Sequence, residues 1–290
     1  MATPSRHLPH GLPAALRVSV AVTDVPMSLL DRLGHQITFL AQVLGAIPRT
    51  LMNYRRQTGA LLVDMIWGNG SLIVGGGTIG VLVFLGAAVG GSVGIEGYSA
   101  LNMVGMGPLT GFISAYANTR EMAPMIAAIG FAAQAGTRMT AEIGAMRISE
   151  EIDALEAQAI RSVPFVVTTR VIAGMITIVP LYLLTLVLSY LSCALVVNVV
   201  HGQSSGTYYH YFDSFIQPSD VLFSVCKAAI FVTLIIAIHG YQGYYASGGP
   251  EGVGQASGRA IRASLITVVV TDMVLTLLFW GNNTGVQISG

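Results

Sequence analysis

Hydrophobic residues in this chain gather into long runs that charged residues bound rather than interrupt. A bilayer core is about 30 Å thick, so a spanning helix needs roughly 20 mostly apolar residues. No charged residue falls between Asp64 and Glu96, and Ser71–Gly94 is a first span of that length. Ala123–Ala141 is a second, with Arg138 near its end, and Val171–Val200 is a third. Ala228–Tyr245 is a fourth, and Ala263–Trp280, which contains Asp272, is a fifth. The pattern predicts an all-α membrane protein with five transmembrane helices. Lysine and arginine mark the cytoplasmic side. Arg32, Arg49, Arg55 and Arg56 precede span one, Arg147, Arg161 and Arg170 separate spans two and three, and Arg259 and Arg262 separate spans four and five. The other side offers Arg120 and the boundary residue Lys227. The N-terminus is therefore expected in the cytoplasm and the C-terminus in the periplasm.

A different period holds over residues 29–57. Leu30, Leu33, Ile37, Leu40, Leu44, Ile47 and Leu51 recur at steps of three and four, with Asp31, Arg32, Gln36 and Gln42 between them. This predicts an amphipathic helix whose polar face makes it a poor span. Lying in the interface plane before span one, it forms an elbow. Residues 1–26 carry Pro4, Pro9 and Pro13 and no long apolar core, so they are expected to be a flexible cytoplasmic tail rather than a cleaved signal. The chain then divides into the tail 1–26, the elbow region 27–70 and a membrane domain 71–290.

Composition agrees with lipid as the main solvent. Of 290 residues, 53% are hydrophobic and 10% charged, and the mean hydropathy is +0.68. Soluble chains run to about 25% charged residues. The formal net charge is +0 and the basic residues form no block, so nucleic acid is excluded as a partner. Cys193 and Cys226 form no CxxC pair, and His7, His10, His35 and His239 lack metal-ligand spacing, so no metal is expected.

Three catalytic motifs fail on context. Gly75, Gly77 and Gly80 match a dinucleotide-binding fingerprint, but in an apolar span rather than between a strand and a helix. Gly202–Gly206 matches a nucleophile elbow around Ser204, with His201, His210 and Asp213 nearby. That elbow needs an entering strand, and here a membrane helix enters a Tyr-rich segment, so residues 201–219 read as a flexible external loop. A phosphate-binding loop needs Gly-Lys-Ser/Thr, and the single lysine, Lys227, lies between Cys226 and Ala228. The chain is expected to hold no ATP and no catalytic residue of its own.

Glycine and intramembrane charge are the other signals in the spans. Gly76/Gly80, Gly86/Gly90 and Gly90/Gly94 have the four-residue spacing that lets membrane helices approach closely. The spacing fits a subunit interface, a thin-walled cavity or packing within the chain. Asp272 is the tenth residue of span five, about 15 Å in. A carboxylate there faces the bundle interior. A hydrogen bond to Ser, Thr or Tyr on a neighbouring helix accounts for it, as does a polar lock that moves. Arg138 and Glu142 are four apart on span two and share a helix face, as a surface pair or a gate.

The segment Ala141–Gln158, AEIGAMRISEEIDALEAQ, follows span two. Ser149 is an expected N-cap, with Glu150 and Glu151 in the first turn, where negative charge suits the helix dipole. Ile152, Leu155 and Ala159 form a narrow apolar stripe flanked by Asp153 and Glu156. A short cytoplasmic helix of this kind suits a groove on a soluble partner, and equally an ordinary solvated loop.

The run EIGAMRISEEIDALEA closely resembles the signature of the MlaE/YrbE family of ABC-transporter permeases. The elbow, the loop Gly243–Ser264 and Asp272 are similar as well, and the resemblance covers most of residues 29–281. The external GQSSGTYYHYF segment looks most like the B-type YrbE permeases of actinobacterial, including mycobacterial, Mce systems. The resemblance implies an inner-membrane, multi-pass subunit of a transporter for a lipid such as a fatty acid, mycolic acid or sterol. It also implies a cytoplasmic ABC ATPase dimer that binds ATP and Mg, a homologous A-type YrbE subunit, and periplasmic Mce lipid carriers. On the same ground Arg147, Glu150, Glu151, Ile152, Asp153, Leu155 and Glu156 belong to an ATPase-coupling helix. The competing classes are a stand-alone secondary transporter or channel, and a membrane-embedded hydrolase using Ser204.

Overall fold

The computed structural model describes residues 31, 33–67 and 77–281. The tail 1–26, the start of span one at Ser71 and the packing glycine Gly76 lie outside the described residues. Two units are distinguished, Met1–Gly45 and Ala46–Gly290. In the first, helix α1 covers residues 33–45, with Phe39 and Val43 buried and Leu33, Ile37 and Leu44 exposed. The exposed apolar stripe is the one read from the sequence.

The second unit begins with α2 (Ile47–Asn53) and α3 (Arg55–Trp67). A single elbow helix through residue 57 is thus corrected to three helices. Pro48 occupies the first turn of α2, which it suits because that turn's N–H groups lack intrahelical partners. Tyr54 then leaves helical geometry between α2 and α3.

Among the described residues, four helices are long and apolar enough to cross a membrane: α4 (Gly77–Asn102), α7 (Pro164–Val200), α9 (Pro218–Tyr244) and α10 (Gly249–Trp280). Between α4 and α7 the chain is helical over residues 110–148, here α5, with wider π-type turns at Ser114–Met122 and Ala132–Gly136. The short helix α6 (Glu151–Ala157) follows, and α8 (Ser205–Phe215) lies between α7 and α9. Among the described residues there is no strand.

The observed helices overrun the expected spans, for physical reasons. The expected loop Gly243–Ser264 is mostly the first half of α10, and only residues 245–248 leave helical geometry. Gly248 takes φ +92°, Pro250 fills the first turn, and Glu251 meets the positive end of the helix dipole. Val253 then packs on Gly144 of α5, where a Cβ would come within 2.8 Å of its side chain. The expected flexible loop 201–219 contains α8, held by a small core of Cys193, Ala194, Val197 and Tyr208. Gly111 of α5 lets α8 approach so closely that a Cβ there would sit 2.2 Å from the Tyr208 carbonyl oxygen. Burial pushes the Tyr208 phenol above its ordinary pKa.

Three glycines of α4 pack against a neighbouring helix of the same chain. Thr78, Leu82, Gly86, Gly90 and Gly94 are its buried face, four residues apart. Gly86, Gly90 and Gly94 lie against Thr185, Ser189 and Cys193 of α7. Ser192 Oγ donates to the Ala87 carbonyl at 2.6 Å across the same seam. Gly80, six residues before Gly86, is half-buried.

Candidate functional site

Polar side chains cluster at three levels of the bundle. At the end where α9 starts and α10 stops, Arg120 and Asp220 form an ion pair at 2.8 Å, and both are buried. The Trp280 indole N–H donates to the other Asp220 oxygen at 2.8 Å. The Arg120 guanidinium lies 4.0 Å from the Tyr116 ring centre and 5.1 Å from that of Trp280, within cation–π range. Arg120 was expected outside the spans. It is interior because the wide turn at Ser114–Met122 points Asn118, Thr119 and Arg120 inward together. Such turns recur at functional positions in helices.

Deeper in the bundle, Lys227 has no solvent exposure. Its Nζ donates to Glu121 at 3.0 Å, to the Arg120 carbonyl at 2.8 Å and to Thr276 Oγ1 at 2.7 Å. It also lies 2.7 Å from Asp272 Oδ1, an ion pair whose approach is off the hydrogen-bonding direction. Thr276 donates in turn to Glu121 at 2.8 Å. Two expectations are corrected here. Lys227 is an interior residue and not a boundary one, and the partner of Asp272 is this lysine rather than a hydroxyl. An ammonium whose three protons meet a carboxylate, a carbonyl and a hydroxyl, with a second carboxylate beside them, offsets much of its own desolvation.

At the opposite end a second ionic network joins three helices. Arg138 of α5 lies 3.1 Å from Asp64 of α3 and 3.6 Å from Glu142, and Arg170 of α7 lies 3.3 Å from Glu142. Arg138 Nη2 also donates to the Asp64 carbonyl at 2.7 Å. The sequence reading joined Arg138 to Glu142 alone. Their role is broader, because they tie α5 to α3 and α7.

The helix α6 projects from this same end. Ser149 closes α5 and does not cap α6; Glu150 precedes α6 in left-handed geometry with φ 60°. The two-residue link leaves the line of α5 through this left-handed residue. Glu151 and Asp153 occupy the first turn of α6. Arg147 pairs with Asp153 at 2.7 Å, and Ser149 donates to Glu151 at 3.1 Å. Ile152 is fully buried and Leu155 half-buried, so these two are turned into the chain, whereas Ala159, expected on the same stripe, lies beyond α6, exposed and with φ 60°. The outward surface is made by Glu150, Glu151, Asp153, Ala154 and Glu156.

Ser204 is an exposed residue in extended geometry before α8, and His201 stacks on Tyr98 at 4.2 Å. The segment is helix, link and helix, without the strand a nucleophile elbow requires. Among the described residues no cluster of three or more His, Cys, Asp or Glu side chains is placed to hold a metal ion.

A bundle of long apolar helices with ionic networks inside it, and a short acidic helix at one end, is the architecture of a multi-pass membrane protein. The family model described as Permease MlaE matches residues 69–278, and the chain belongs to that family. A "Probable ABC transporter permease protein" of Rickettsia bellii is 34% identical over 56% of this chain and 62% of its own length. The "Intermembrane phospholipid transport system permease protein MlaE" of Haemophilus influenzae is 28% identical over 69% of this chain and 77% of its own. "Protein TRIGALACTOSYLDIACYLGLYCEROL 1, chloroplastic" of Arabidopsis thaliana is 28% identical over 70% of this chain and 58% of its own. The chain thus spans less than two thirds of the length of two of these relatives.

Proposed function

We propose that this chain is the transmembrane subunit of an ATP-driven lipid transporter of the Mce/Mla type, most like the B-type YrbE permeases. The single observation that carries the coupling is α6. It stands at one end of the bundle with its apolar residue Ile152 turned inward and an exposed, mostly acidic face. A surface of that size suits a groove on a soluble ATPase. Membership of a permease family and the phospholipid-transport name of the Haemophilus relative support lipid as the cargo. In this reading residues 110–148 supply the fifth span, the N-terminus is cytoplasmic and the C-terminus periplasmic. A cytoplasmic ABC ATPase dimer binds ATP and Mg, a homologous A-type subunit completes the membrane part, and Mce proteins receive or deliver the lipid outside. The membrane is the inner membrane. The cargo is a fatty acid, mycolic acid or sterol held by apolar side chains.

The test is retention of the ATPase. Ala154 is exposed in mid-α6, so Ala154→Arg changes the surface without touching the core. The variant is expected to keep its folded yield and to co-purify at least tenfold less ATPase, equivalent to about 1.4 kcal/mol of binding. Wild-type chain that retains no ATPase, or a variant that retains the full amount, would count against the coupling assignment.

A further inference from the structure

Glu156, near the C-terminal end of α6, faces two hydroxyl groups from different helices. Ser162, where α7 begins, donates to Glu156 Oε1 at 2.5 Å. Tyr244, the last residue of α9, donates to the same oxygen at 3.1 Å. The two hydroxyl oxygens are 2.7 Å apart. Ser162 and Tyr244 are buried, whereas Glu156 is exposed on the helix proposed to meet the ATPase.

Beside these three side chains lies a crevice of about 350 Å³, lined also by Ile160, Arg161 and Pro164. The backbone of α6 packs on the end of α5, and the crevice leaves open space between α6 and the start of α7. On that side the connection is therefore polar. Hydrogen bonds to a carboxylate are about twice as strong as those between neutral groups, and they are directional. A shift of α6 thus pulls on two defined atoms on this side, in addition to the apolar anchor that Ile152 makes elsewhere on the helix. Tyr244 sits immediately before the four-residue turn 245–248 that joins α9 to α10. Displacing it displaces the hairpin that carries Lys227 and Asp272, the ion pair inside the bundle.

We propose that Glu156, Ser162 and Tyr244 are the linkage through which movement of α6 reaches the α9–α10 hairpin. They are positioning residues, and the proposal rests on the transporter reading above. The sequence placed Glu156 in the coupling helix but gave no sign of its partners, which lie 6 and 88 residues away.

The experiment uses the full complex with its ATPase. It is reconstituted in vesicles of phosphatidylethanolamine and phosphatidylglycerol containing two tracers, labelled palmitate for the fatty and mycolic acids and labelled cholesterol for the sterols. The readout is tracer moved per ATP hydrolysed. Tyr244→Phe removes one hydroxyl and keeps the ring. It is expected to leave hydrolysis within twofold of wild type and to lower tracer per ATP at least fivefold. Ser162→Ala is expected to behave alike, and the double variant to fall no further, because both act in one network. An unchanged ratio in Tyr244→Phe overturns the linkage alone. Equal falls in hydrolysis and transport also overturn it, since they report a damaged complex. A wild-type complex that hydrolyses ATP and moves neither tracer overturns the transporter reading, and the linkage with it.

Discussion

Replacing Lys227 with methionine is expected to destabilise the folded chain by about 3–5 kcal/mol, the usual cost of removing one partner of a buried ion pair. Methionine fills a similar volume and leaves a charge problem rather than a cavity. The Asp272 side chain is 8% exposed and that of Glu121 31%, so the loss falls mainly on Asp272. Without the ammonium the Asp272 and Glu121 carboxylates face each other with no cation between them. The double variant Lys227→Met/Asp272→Asn is expected to recover at least half of the loss, because the buried charge goes with its partner. Unfolding of the purified chain in mixed micelles, followed by tryptophan fluorescence, measures both. If Lys227→Met proved as stable as wild type, or the second substitution made matters worse, the ion pair would not be what holds α9 to α10. Asp272→Asn alone separates structure from transport. Full transport by a stable Asp272→Asn chain would remove any need for negative charge at that position.

The same residues show what was legible in the sequence and what was not. Long uncharged runs located the apolar helices well, because the cost of exposing polar groups to lipid acts on each residue separately. Treating every charge as a helix boundary then misplaced Arg120 and Lys227. The rule fails where a charge is paired, and pairing with Asp220, Glu121 and Asp272 depends on residues 45 to 106 positions away. One signal was available: Lys227 is the only lysine in the chain and stands within an apolar stretch. Glycine misled in a similar way. The run from Gly243 to Ser264 reads as a loop on propensity, yet it is largely helix because small residues let α10 pack against α5. At α6 the position of the helix was readable, whereas its rotation was not. An apolar stripe beside charge looks the same whether it faces a partner or its own chain, and only packing shows that Ile152 is internal.

Gly90→Ala is expected to weaken the seam between α4 and α7, while Gly91→Ala next to it is not. A Cβ on Gly90 would lie 2.0 Å from the Ser189 carbonyl oxygen and 2.6 Å from the Ser189 Cα. Both are backbone atoms, so no rotamer change relieves the clash, and the helices must move apart. Apolar burial does little to hold helices together in lipid, where the surroundings are as apolar as the side chains, so close packing and interhelical hydrogen bonds carry the association. Separation would also stretch the bond from Ser192 to the Ala87 carbonyl on the same seam. Overpacking of this kind costs typically about 1–3 kcal/mol. The neighbouring Gly91 meets only Ser192 Oγ at 3.3 Å and a Val196 methyl at 3.9 Å. Alanine there should be neutral, or stabilising by up to about 1 kcal/mol through its greater helix propensity. The comparison is made on unfolding midpoints in the same micelles. Equal losses at the two positions would mean that glycine serves helix flexibility in α4 and not the close approach to α7. A loss confined to Gly90 assigns the glycine spacing to packing inside one chain, and leaves the exposed face of α4, including Phe84 and Ile95, to lipid or to another subunit.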